Sequence, residues 1–343
     1  MRKRPPAPSL ASIRRLPKVE LHVHLETSLR LRRLADRAPT PRGHDGESAL
    51  IADPSKFTGY DRLRRLRYAS RAGKIPDDLY TPENIEQITF DLLGEAHEQG
   101  VRYLEVRAGG RRGFALLGTR RMLAAMAQAR VRAEEVFGVR AGFLMTIVRE
   151  RGPDEAESRA REAIDCKDCG VVGVDLAGDE ENYPPALFTR ALGLARDGGL
   201  GITVHAGEFA GPASIWTAVY QAGAQRLGHG IRAVEDPELM AYLREHRITL
   251  EVCPSSNIRL GLSAGMGHHP VGALMAAGVP VTINSDDPVL LKTNLSRELH
   301  TVATAFSLTT GDLKALMDAA ARAAFMPADQ SKVLQRQLAR VVP

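Results

Sequence analysis

Eight short runs rich in apolar and β-branched residues recur along the chain, at 19–25, 101–107, 140–147, 171–176, 202–206, 226–229, 248–253 and 279–284. Runs of that length, bounded by glycines or helix signals, predict buried β-strands. Between most of them the apolar spacing changes to a helical period, at 84–99, 153–168, 185–198, 212–222, 237–245 and 271–277. The first of these is well punctuated: Thr81 is suited to the N-cap, Pro82 to the first helical position, and Gly100 to the stop. Strand and helix alternating eight times predict a parallel sheet closed into a (β/α)8 TIM barrel. The interval 27–100 is too long for one crossover, so extra helices are expected after strand 1, capping the barrel mouth, with a loop over 37–53.

The chain has 343 residues, which suits one barrel domain, taken as 13–343 after a disordered basic tail over 1–12. Hydrophobic residues at 44% and charged residues at 25% indicate a globular protein with a sizeable core. The net charge is +5, but there is no basic run interleaved with aromatics, and aromatics are only 5%, so nucleic acid is not expected as a partner. Three cysteines, an odd number in a long chain, fit a reducing cytoplasm. No stretch approaches the roughly 20 apolar residues of a membrane span, and no signal-peptide core follows the basic start.

In parallel barrels the reactive groups lie at the C-terminal ends of the strands. Here strand 1 ends in His22-Val23-His24, strand 5 in His205-Ala206-Gly207-Glu208, strand 6 in Gly228-His229-Gly230, and strand 8 in Asn284-Ser285-Asp286-Asp287. Alternate residues of a strand share a face, so His22 and His24 project together, about 7 Å apart along the backbone. With His205 and Asp286 they make three imidazoles and a carboxylate, a donor set for one zinc-like ion with an open position for water. A bound ion of that kind makes water nucleophilic near neutral pH. Glu208 lies beyond His205 and is not needed as a ligand, which leaves it as a proton donor; His229 is the residue to orient or deprotonate the attacking water. Strand 4 ends at Gly178, where two-metal barrels carry a bridging lysine or carboxylate, so one ion is expected, and Gly178 would admit a ligand close to the backbone.

Those strand ends, in that order, resemble the adenosine deaminase family of the amidohydrolase superfamily. The resemblance rests on Leu16-Pro17-Lys18-Val19-Glu20-Leu21-His22-Val23-His24-Leu25, on the segment from Gly173 to Glu180, and on Thr203-Val204-His205-Ala206-Gly207-Glu208. Arg226-Leu227-Gly228-His229-Gly230, Glu251-Val252-Cys253-Pro254-Ser255-Ser256-Asn257 and Asn284-Ser285-Asp286-Asp287-Pro288 extend it over nearly the whole chain. The resemblance implies His22, His24, His205 and Asp286 as ligands of one divalent ion, zinc, and Glu208, His229 and Asp286 as catalytic residues. It implies a small purine substrate touched by His24, Gly178 and Asp287, the last on the N7 side. The implied reaction is hydrolytic deamination at C6 of an adenine nucleoside, releasing ammonia and an inosine-type product.

One departure bears on the substrate. Where adenosine deaminases have Asp-Gly after His-Leu, with the aspartate on the ribose 5′-hydroxyl, this chain has Glu26-Thr27. A glutamate is similar to adenine deaminases and aminodeoxyfutalosine deaminases, so adenine and 5′-modified adenosines are the alternative substrates. The segment from Val289 to Glu298 looks more like the nucleoside enzymes. A barrel hydrolase cleaving a ring amide or ester, and a silent descendant used for binding, are the rival classes; the Gly173–Glu180 segment opposes the first and intact Glu208 and His229 the second.

Other polar residues are read as structural. Cys166-Lys167-Asp168-Cys169 lacks the companion motifs of cytidine-type deaminases and is taken as incidental. Cys253 is a small core residue, His268-His269-Pro270 a loop, and His44, His97, His246 and His300 surface or packing residues. Arg107, ending strand 2, is either structural or pocket-lining.

Overall fold

A computed structural model describes residues 7–25, 60–63, 77–109 and 111–339. Eight parallel strands form one sheet in sequence order: β1 Lys18–His24, β2 Val101–Ala108, β3 Arg140–Val148, β4 Val171–Ala177, β5 Gly201–Ala206, β6 Arg226–His229, β7 Thr249–Val252 and β8 Val281–Ile283. With helices around it, this is the expected (β/α)8 barrel. Strand bounds agree with the sequence pattern to within about two residues, because both faces of each strand are buried and the apolar runs end where burial ends.

The seam between β8 and β1 is closed by site residues. No regular ladder joins the two strands; instead Asp286 N–H donates to His22 O and Asp286 O accepts from His24 N–H, each at 3.0 Å. Asn284 Oδ1 accepts from Leu21 N–H at 2.9 Å, and Glu20 Oε1 accepts from Ser285 N–H at 2.8 Å. The loop that carries Asp286 is thereby woven between the two histidines of β1.

Crossover helices occupy the expected segments with small adjustments. Pro82–Glu98 starts at its Thr81 cap, which accepts from Asn84 N–H at 3.2 Å, and Gly100 ends it at φ 79°. The segment 153–168 divides into Gly152–Asp165 and a 3-10 turn, Lys167–Cys169, ended by Gly170 at φ 91°. Similarly, 185–198 divides into a 3-10 turn, Pro185–Phe188, and Thr189–Asp197. Helices Thr119–Phe137, Leu295–Phe306, Thr310–Ala323 and Ala328–Ala339 complete the shell beyond the segments singled out by periodicity. Leu10–Arg15 is a helix capped by Ser9 with Ile13 buried, so the end of the stretch expected as a disordered tail is ordered. The insertion after β1 is described only in part, and its expected loop over 37–53 lies outside the described residues.

The barrel interior is charged in its middle layer. Arg226 pairs with Glu105 Oε2 at 2.5 Å and with Glu251 Oε1 at 2.7 Å; Arg107 pairs with Asp175 Oδ2 at 3.1 Å and also with Glu251. At the floor, Phe325 lies 3.6 Å beneath the Arg226 guanidinium, and its N–H donates to Glu105 Oε1 at 2.6 Å. Apolar positions on the outer face of the strands meet the helices in one continuous core. Among the described residues no helix is long and apolar enough to cross a membrane.

Candidate active site

At the C-terminal mouth, His22, His24 and His205 come together with ligand atoms within 4.8 Å of one another. Asp286 joins them: its Oδ1 lies 3.6 Å from His22 Nε2 and 3.4 Å from His24 Nε2. Asp286 adopts φ 58°, a left-handed conformation that non-glycine residues hold only when the surroundings impose it, and here the seam hydrogen bonds do so.

The backing of the His22 and His205 rings determines which of their nitrogens faces the cluster. His22 Nδ1 donates to Glu251 Oε2 at 3.1 Å, and His205 Nδ1 donates to Asp175 Oδ1 at 2.9 Å. A carboxylate behind Nδ1 puts the proton there and leaves the Nε2 lone pair facing inward, which is how metal-ligating histidines are commonly held. His22 Nε2 is buried and makes no hydrogen bond within the protein, as expected of an atom meant for an ion. Burial, reinforced by Arg107 and the neighbouring imidazoles, keeps His22 neutral, well below its ordinary pKa. Burial alone would raise the Asp175 carboxyl, but facing His205 and Arg107 hold it well below the usual range. Donor types, tautomers and burial all fit a borderline divalent ion.

Glu208 and His229 border this cluster. Glu208 is 4% exposed, and its Oε1 lies 3.5 Å from His229 Nε2; the His229 ring centre is 5.0 Å from that of His22 and 5.2 Å from that of His205. Burial lowers His229 to about 3, so it is a neutral imidazole. Its backbone is also left-handed, φ 60°. The loop bearing Glu208 is gripped by Glu180, whose two oxygens accept the N–H groups of Gly207, Glu208, Phe209 and Ala210 at 2.6, 3.1, 2.9 and 3.2 Å.

Asp287, 1% exposed, follows Asp286 into the same mouth. Gly178 has φ 117°, a left-handed conformation that calls for glycine, and the end of the flexible Glu150 side chain stands over its open Cα face. Glu26 lies outside the described residues. Cys253, read from sequence as a small core residue, is buried, with its sulfur within 4.8 Å of donor atoms of His22, His229 and Asp286. Burial pushes its thiol well up, and Sγ donates to Glu251 O at 3.5 Å, so it is a thiol rather than a thiolate donor. The other two cysteines are buried and unbridged.

Two readings are sharpened here. His269 stands in the expected loop, and it is a packed member of it: it is 3% exposed and hydrogen-bonded to Asn257, which in turn contacts His229. Arg107 is fully buried between Asp175 and Glu251, so it organises the ligand backing instead of lining a pocket. Sequence reasoning gave no role to Asp175, Glu251, Glu180 or Asn257. A signal existed for the first two, since each is an acidic residue inside an otherwise apolar strand run, a position that in a barrel faces inward.

A parallel barrel with imidazoles and carboxylates converging at its strand ends has the build of a hydrolytic barrel enzyme. The chain belongs to the adenosine deaminase family, whose model matches residues 17–341, and is accordingly a hydrolytic deaminase. It is similar to an adenosine deaminase of Enterococcus faecalis, 33% identical over 95% of this chain and 97% of the relative. An aminodeoxyfutalosine deaminase of Streptomyces avermitilis is 36% identical over 91% of this chain and 87% of its own length. Among solved structures, an amidohydrolase from Burkholderia ambifaria with bound Zn superposes with TM-score 0.82 at 28% identity, covering 98% of this chain and 95% of the other.

Proposed function

We propose that the protein hydrolyses the 6-amino group of an adenine nucleoside: water adds at C6, ammonia leaves, and an inosine-type product remains. The observation that supports this most is the meeting of His22, His24, His205 and Asp286 at one point, with Glu208 and His229 beside it. The first four would hold one divalent ion, zinc by its match to three imidazoles and a carboxylate and by its presence in the similar amidohydrolase. When bound, the ion supplies Lewis acidity that makes water nucleophilic near neutral pH.

The protein's own groups do the rest. Glu208 protonates ring N1 as the C6 centre becomes tetrahedral, which is what makes an aromatic amidine accept water. His229 faces the attacking water across from Glu208 and orients it. Asp287 contacts the N7 side of the purine, while His24 and the backbone at Gly178 flank it. These side chains are buried and already oriented by their hydrogen bonds, so little reorganisation accompanies the reaction.

A second substrate reading has one specific support. Glu26, where the family has an aspartate, is one methylene longer, and that sequence difference favours an adenosine modified at its 5′ position, as in the substrate named for the Streptomyces relative. Zinc-loaded enzyme assayed with adenosine, 2′-deoxyadenosine, adenine and 5′-modified adenosines separates the two. Turnover of adenosine is expected; a kcat/KM preference for the 5′-modified compounds selects the second reading, and no turnover of any member sinks both. In the same assay Glu208→Gln should lower kcat on the order of 10²- to 10⁴-fold with metal content unchanged.

A further inference from the structure

The hydrogen bonds behind His229 differ in kind from those behind His22 and His205. A chain of three contacts runs from the helix Val271–Ala276 to the site: Val271 N–H to His269 Nδ1 at 3.1 Å, His269 Nε2 to Asn257 Oδ1 at 3.2 Å, and Asn257 Nδ2 to His229 Nδ1 at 3.2 Å. All three side chains are buried, with His269 3%, Asn257 0% and His229 1% exposed.

The chain has a direction because its first member has no choice. A backbone N–H can only donate, so His269 Nδ1 must offer a lone pair, and His269 is neither an imidazolium nor the Nδ1-protonated tautomer. Its proton is therefore on Nε2 and is donated to Asn257. The amide atom receiving it must be the carbonyl oxygen, so the amide NH2 is turned toward His229 and donates to Nδ1. His229 Nδ1 thus carries a lone pair, and in a neutral ring the proton resides on Nε2. Nε2 is the atom facing Glu208 Oε1 at 3.5 Å.

We infer that Asn257 and His269 are positioning residues that lock His229 in the Nε2–H tautomer, making it a hydrogen-bond donor in the site and neither a metal ligand nor the base that deprotonates water. Carboxylates behind His22 and His205 leave their Nε2 atoms as lone pairs; an amide N–H behind His229 leaves its Nε2 as N–H. One mouth therefore builds two kinds of imidazole from two kinds of backing. His229 then steadies the attacking oxygen as negative charge develops there, and it discriminates against becoming a fourth imidazole ligand although its ring stands as close to His22 as theirs. The tautomer follows from hydrogen bonds alone, whereas its consequence for the reaction rests on the deamination proposed above.

Asn257→Asp tests this with almost no change of shape. A carboxylate offers no donor to His229 Nδ1 and requires a proton there, so the His229 tautomer inverts while His269 keeps its acceptor. Long-range 1H–15N correlation on zinc-loaded, 15N-histidine-labelled protein reads the tautomer, with the His229 signals assigned by their loss in His229→Gln. The wild type should show a bare Nδ1 and a protonated Nε2 at His229; Asn257→Asp should show the reverse, with the His22 and His205 signals and zinc content unchanged as the check on folding. Its kcat should fall on the order of 10²-fold with KM nearly constant, the scale of losing one preorganised donor. His269→Leu, which removes the donor to Asn257, should lower kcat more than His269→Gln, whose amide can still donate. A protonated Nδ1 at wild-type His229, or an Asn257→Asp variant as fast as wild type, overturns the proposal. The expected tautomer in an enzyme that turns over no aminopurine upholds the lock and refutes the deaminase substrate reading instead.

Discussion

Glu180 commits both carboxylate oxygens to four consecutive amides of the turn that carries Glu208. A carboxylate is the one side chain that can accept all of them; in Glu180→Gln the amide NH2 would confront N–H groups, and the turn must shift. Because misplacing a catalytic group by about 1 Å costs on the order of 10²-fold, the variant should lose 10- to 100-fold in kcat while retaining its metal. Asp175 acts on the opposite side of the cluster through His205 Nδ1. Asp175→Asn should weaken metal binding by roughly 10- to 100-fold, measured by competition with a chelator, since such backing groups orient and strengthen the imidazole. At this scale the candidate ligands and candidate acid–base residues were legible from the strand ends, because His, Glu and Asp in short polar clusters after apolar runs have few structural uses. Their supports were not, because Asp175 and Glu251 touch His205 and His22 only across 30 and 229 residues of sequence.

The same barrel elements have two ends with different duties. At the mouth, the short strand β8 hands over to a loop whose Asp286 supplies the hydrogen bonds that close the seam, so closing the barrel and aiming a candidate ligand are one event. At the floor, the turn after helix Thr310–Ala323 inserts Phe325 against Gly173 and Gly201; a Cβ on Gly201 would lie 2.3 Å from the ring. Gly201→Ala should therefore destabilise by about 1–3 kcal/mol through overpacking, with kinetic constants nearly unchanged, since the floor is far from the chemistry. In a double-mutant cycle with Phe325→Ala, read by urea unfolding, most of that cost should disappear; independent, additive losses would show that the ring is not what glycine accommodates. All eight strands and the six crossover segments with a helical period were legible here, because a barrel strand is buried on both faces and its apolar run marks its ends. The helices after β8 were not, since nothing in their local period says that they cover the β8–β1 seam.

At the scale of the whole molecule, the buried imidazoles tie stability to pH. Burial lowers His269 to about 4 from an ordinary 6.5, so its contribution to stability is complete above about pH 6.5 and is lost as pH falls toward 4, at up to ~1.4 kcal/mol per pH unit. Protonation would also abolish its acceptance of the Val271 N–H. The unfolding midpoint should fall between pH 7 and 5, and His269→Gln should show a shallower slope than wild type under the same metal loading; equal slopes would remove His269 from the cause. The sequence by itself determined the alternation that makes a barrel, and the residue types at its strand ends, because burial and strand period are local properties of the chain. It also carried the Glu26-Thr27 departure that divides the substrate readings. Only the tertiary structure decided how those residues are held: which carboxylate backs which histidine, that Arg107 and Arg226 neutralise the barrel interior, and that Asn257 and His269 set the proton of His229. Hydrogen-bond partners and tautomers depend on atoms brought together across the barrel, and no spacing along the chain encodes which of several buried polar groups will meet.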